Sequence, residues 1–121
     1  MDGAKKSTDQ DAVLLARSDG CAVWQFRNET GDGTMTVYEV FPGVMLSFND
    51  FHMEYYESSY VADRRLLAID HCCEGRMEYA VGDSLIAYTA AGDMKLDMRK
   101  QHMGTFVFPS CHYHGLTVGF D

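Results

Sequence analysis

The chain has 121 residues, 46% of them hydrophobic and 23% charged, enough for one domain with a single core. Ten Lys and Arg stand against eighteen Asp and Glu, a formal net charge of −8, which argues against direct binding of DNA or RNA backbones by these residues. No apolar run reaches membrane-spanning length and no signal-peptide core follows Met1, so a cytoplasmic protein with no membrane partner is expected.

Residues 1–20 read as an arm carrying a short helix. "TDQDAVLLARSDG" has helix composition, which Thr8 or Asp9 can cap and Gly20 can end. From residue 21 the pattern changes to hairpins. "CAVWQF" (21–26), "TMTVYEVF" (34–41) and "VMLSFNDFHM" (44–53) have strand composition, separated by "RNETGDG" and by a Pro42-Gly43 turn. Residues 54–64 read as a polar connection. "LLAIDHC" (66–72), "MEYAV" (77–81), "SLIAYT" (84–89) and "MKLDM" (94–98) follow as strands, with turns at 73–76 and 90–93. After a loop at 99–104 come "TFVF" (105–108) and "HYHGLTVGF" (112–120). About nine strands with turns every 8 to 12 residues indicate a sandwich or barrel over residues 21–121.

Alternation assigns faces. His112, His114, Leu116, Val118 and Phe120 share one face of the last strand, and its aliphatic members place the two histidines inward. Leu67, Ile69 and His71 share a face, as do Met94, Leu96 and Met98, with Lys95 and Asp97 on the opposite, outward side. Met77 reads as core filler or as part of a plastic pocket wall. Cys21, Cys72, Cys73 and Cys111 include no C-x-x-C pair, so reduced, partly buried thiols are expected.

The ordered string E-G-R, A-A-G-D, F-P-S and H-Y-H-G, together with "TMTVYEVFPGVMLSFNDFHM", resembles the N-terminal sensor domain of AraC-type transcriptional regulators over residues 34–121. The resemblance implies a mainly β, cupin-like double-stranded β-helix, a jelly-roll barrel whose interior holds one small effector. It also implies a homodimer. DNA would be met only through a helix-turn-helix half beyond Asp121, which this sequence does not encode. In arabinose-responsive relatives a last-strand histidine contacts the sugar, and His114 takes that position; Leu116 replaces a stacking tryptophan. That change removes the platform a sugar uses and leaves a small apolar or mixed ligand as the expectation.

Three roles remain open for the histidines. His112 and His114, two residues apart on a strand, can converge on a metal with His71 as a third ligand. They can instead form hydrogen bonds to an effector, or be bonded structural imidazoles. Metal-binding cupins carry a paired histidine motif with a glutamate close behind; "DHCCEGRMEYAVG" has one histidine, with Glu74 and Glu78 nearest. The expectation is a non-enzymatic sensing and dimerisation domain, with no cofactor and no metal. Its ligand contacts are expected at His114, His112, His71, Leu116, Met94 and Met77. The rival is a stand-alone metal-dependent cupin enzyme, an isomerase or dioxygenase. A thiol sensor at Cys72-Cys73 is a third reading.

Overall fold

A computed structural model describes residues 12–81 and 85–120, and their side chains except at 58–66, 81 and 97–104. Eight antiparallel strands follow in order: β1 (Ala12–Ser18), β2 (Cys21–Asn28), β3 (Gly31–Phe41), β4 (Val44–His52), β5 (Tyr55–Val81), β6 (Leu85–Ala90), β7 (Met94–Val107) and β8 (Tyr113–Phe120). They lie in the order β1-β2-β3-β4-β8-β5-β6, with β7 paired to β5. The described part is therefore mainly β and forms a curled half-barrel.

Several expectations are corrected. Residues 12–18 are a strand, not a helix. Ser18 pairs with Cys21 across Asp19-Gly20, and Gly20 takes φ 72, which an Asp-Gly hairpin needs and a residue with Cβ adopts at a cost. Cross-strand hydrogen bonding to β2 outweighs the helix propensity of "AVLLAR", a segment of good helix formers too short to hold a helix by itself. The proposed cap at Thr8 or Asp9 lies outside the described residues. The expected loops at 54–64, from Tyr55 on, and 99–104 are also strand, as is the expected turn at 73–76, which lies within β5. Tyr55–Val61 pairs with Val107–Gln101, and Leu66–His71 pairs with Arg99–Met94, with a register shift between the two stretches. β5 and β7 thus bend together. Glu78 and Tyr79 of β5 then meet Val107 and Phe106 again, which curls the sheet over its own face.

Aromatic rings fill one end of the enclosed face. Phe26 meets Tyr56 edge-on at 4.8 Å, and Phe51 stacks on Phe108 at 5.4 Å. Phe106 lies 5.5 Å from Tyr79. Met53, Cys72 and Tyr113 complete this buried cluster, and Trp24, Met35 and Met77 pack against it.

Candidate functional site

The strand register decides what faces the interior. Ala22, Val37, Ser47, Thr117, Asp70 and Lys95 are successive partners across β2, β3, β4, β8, β5 and β7, so they share one face. Trp24, Met35, Asn49, Gly115 and Cys72 form the next row. Phe26, Gly33, Phe51 and Tyr113 form the aromatic row beyond it. This is the enclosed face: Ser47, Asn49 and Asp70 are buried beside the apolar core.

These buried polar groups are joined in one direction. Ser47 Oγ donates to Asn49 Oδ1 at 2.7 Å, and Asn49 Nδ2 donates to Thr117 Oγ1 at 3.1 Å. Thr117 Oγ1 then donates to Asp70 Oδ1 at 2.6 Å. The relay ends on a carboxylate, which makes its last bond the strongest. Lys95 stands opposite Asp70 in register, and its ammonium lies 4.0 Å from the centroid of the Tyr79 ring. A further polar group, the hydroxyl of Thr89, is 1% exposed and has no hydrogen-bond partner among the described residues. Trp24, Met35 and Met77 flank this enclosed wall of donors and acceptors.

The alternation places the expected site residues differently. His114 is exposed, while Tyr113, Gly115 and Gly119 are buried. The face assigned as interior is the outer one. Of the residues expected to touch ligand, His71, Leu116, His112, His114 and Met94 lie on this outer side, Met94 being 69% exposed. Met77 alone packs against the core. Lys95, expected outside, is inside. The physical reason is volume: β8 offers Gly115 and Gly119 to the interior, leaving room for aromatic rings, while Leu116, Val118 and Phe120 cover the other side. The sequence signal for the inner row was present in "VMLSFNDF", where Ser47 and Asn49 sit on alternate positions of an apolar strand.

At one end of the outer face the histidines meet carboxylates. His112 Nε2 lies 2.8 Å from Glu74 Oε1, and His52 Nε2 lies 2.9 Å from Asp50 Oδ1. The bond from His112 holds the exposed Glu74 carboxyl below its usual pKa. Gly75 fixes this end of the sheet. It takes φ 85, and a Cβ there would run into the His112 carbonyl, so β5 and the segment before β8 approach as closely as they do only with glycine.

No protein-family model matches the chain, and no curated protein is similar in sequence. Solved structures share its fold. A putative ethanolamine utilization protein Q of Salmonella typhimurium superposes with a TM-score of 0.58 at 14% identity, over 93% of this chain and 97% of that one. An HTH_3 family transcriptional regulator of Vibrio cholerae gives 0.54 at 12% identity over 72% of this chain, which spans 51% of the regulator's length. The FeII form of HppE gives 0.54 at 11% identity, over 95% of this chain and 64% of that one. These neighbours are cupin-like, and the curled half-barrel is a cupin fold. Among the described residues no helix is long and apolar enough to cross a membrane.

Proposed function

We propose that the chain is the effector-sensing and dimerisation domain of an AraC-type transcription regulator, cytoplasmic, with DNA contact assigned to a helix-turn-helix half outside these residues. The observation that carries this reading is the enclosed relay Ser47–Asn49–Thr117–Asp70. It is a built polar wall inside a cupin fold, with no histidine among its members. A cupin-fold neighbour that is itself a transcriptional regulator supports the reading by analogy of fold alone. The effector contacts move from the histidines to Asn49, Thr117, Asp70 and Lys95, with Met77 and Trp24 as apolar wall. An effector shifts the regulator only by binding one arrangement better than the other.

Dimerisation has its own surface. Tyr38, Leu46, Val118, Ile69 and Leu96 form one row across the outer face, and Phe48, Leu116 and Met94 lie in the next. Tyr38, Phe48, Leu96 and Met94 are 40%, 44%, 64% and 69% exposed. With the half-buried members, these rows make one contiguous apolar face, the kind of surface that marks an interaction site. A second copy of the same sheet face is the occupant that fits, because twisted sheets stack face to face.

Native mass spectrometry of the purified chain tests both parts. The expected result is a dimer carrying a small organic adduct that Asn49→Leu and Thr117→Val lose. An adduct retained in both variants would sink the inner-wall reading. Phe48→Glu and Leu96→Glu are expected to give folded monomers. A dimer that survives both but dissociates in Leu15→Lys would place the contact at the β1 edge instead.

A further inference from the structure

The two rings at the end of the outer face are held in a conflict that the fold does not relieve. His52 and His112 each have Nε2 against a carboxylate, Asp50 at 2.9 Å and Glu74 at 2.8 Å. A carboxylate accepts, so each Nε2 carries its ring proton. The other nitrogen of each neutral ring is then a bare lone pair. These two Nδ1 atoms face each other at 3.3 Å, with ring centroids 4.9 Å apart. Two acceptors at that distance repel unless something lies between them.

The spacing fits one kind of guest. With Zn–N bonds of about 2.0–2.1 Å, two nitrogens of a tetrahedral zinc site lie roughly 3.3–3.4 Å apart. The candidate ligand atoms of Asp50, His52 and His112 all lie within 4.8 Å of one another. Glu74, on the far nitrogen of His112, then takes the supporting position a carboxylate commonly holds behind a metal-bound imidazole.

We propose that His52 and His112 bind one divalent late transition metal ion through their Nδ1 atoms, with Asp50 and Glu74, each against the far Nε2 of its ring, orienting His52 and His112. The site lies on the outer side of the sheet, apart from the enclosed polar wall, and does not depend on the effector reading. It is open to solvent: the side chains of His52 and His112 are 56% and 32% exposed. The ion ties the end of β4 to the turn before β8, two segments distant in sequence. Water completes its coordination.

The test uses the untagged, metal-stripped chain titrated with zinc by calorimetry, with cobalt(II) as a coloured substitute. One equivalent of zinc is expected. His52→Ala and His112→Ala are each expected to abolish stoichiometric binding. Asp50→Asn and Glu74→Gln are expected to weaken it about ten-fold or more. Cobalt should give visible d–d bands without a near-ultraviolet thiolate charge-transfer band, despite the neighbouring Cys111. Because a variant can lose binding by misfolding, the wild-type chain supplies a second readout: zinc should move the imidazole NMR signals of His52 and His112 together. Absence of stoichiometric binding, retention in both histidine variants, a thiolate band, or zinc-induced shifts confined to other histidines would each overturn the proposal. In the first case the pair shares a proton only.

Discussion

Thr117 and Thr89 are both threonines of the enclosed face or its border, and they call for opposite responses to the same substitution. Thr117 accepts from Asn49 and donates to Asp70, so Thr117→Val removes both bonds and strips a buried carboxylate of a donor. The expected cost is about 1–3 kcal/mol. Thr89 keeps a hydroxyl away from water with no partner among the described residues, so Thr89→Val is expected to be neutral or to stabilise by up to about 1 kcal/mol. Urea unfolding midpoints of the two variants should move in different directions; a shared loss would mean that the Thr89 hydroxyl is bonded. Cys72 gives a second prediction at this scale. Burial, with smaller contributions from Cys73 and Asp93, pushes its thiol pKa up, and Sγ donates to the carbonyls of Glu74 and Gly75. It should therefore be alkylated by iodoacetamide far more slowly than exposed Cys73 and Cys111. The pH dependence follows from the sign. A thiol pKa raised on folding leaves stability intact below the ordinary thiol value of about 8.5. Above it the unfolded chain ionises first, so stability falls with rising pH until the folded pKa is passed. Cys72→Ala should flatten that alkaline loss; an unchanged slope would assign it to other groups.

Elements were the most legible level, and their faces the least. The strands β2, β3 and β4, the Pro42-Gly43 turn and the turn at Gly92 follow from composition and breaker residues, whereas the polar stretches 54–64 and 99–104 conceal the full length of β5 and β7. Asp93 behaves as its place after Gly92 suggests, its carboxylate accepting from the Ala90 backbone N–H at 3.0 Å. β1 was not legible because six of its seven residues are exposed, so neither periodicity marks a buried face. Face assignment failed in β8 because its enclosed face carries Gly115, Thr117 and Gly119, while the aliphatic Leu116 and Val118 lie on the outer one. Alternation says which residues share a side, not which side is enclosed, and a single reversal moves every side chain. With the faces reversed, Asp70 and Lys95 belong outside, and the relay that ends on Asp70 cannot be read. The segment around Gly75 makes the element-scale prediction. Gly75→Ala puts a Cβ at positive φ and against the His112 carbonyl. It is expected to cost about 2 kcal/mol or more, above the strain of a left-handed residue alone. It should also displace His112 and weaken zinc binding. Ala at an exposed strand position, such as Thr105→Ala, should do neither, and thermal unfolding with zinc titration distinguishes them.

At the scale of the whole molecule two long-range effects oppose each other on the outer face. The apolar rows favour stacking of two copies, while each copy carries a formal net charge of −8. Bringing two such charges within a sheet spacing of about 10 Å costs electrostatic energy that falls as salt screens it. An interface built from Tyr38, Phe48, Leu96 and Met94 contains no charged side chain among these four to reverse that trend. The dimer should therefore tighten as ionic strength rises. Sedimentation equilibrium between about 10 and 300 mM salt, where the screening length shrinks from roughly 30 Å to below 8 Å, should show the dissociation constant falling several-fold. An interface held by cross-copy ion pairs would behave in the opposite way, weakening with salt. That outcome would remove the apolar sheet face as the dimer contact and direct attention to the acidic and histidine-bearing end around Asp50 and Glu74. Phe48→Glu adds charge to the contact itself. Its monomer should begin to associate only at the highest salt, because screening reduces the added repulsion without restoring the lost apolar contact.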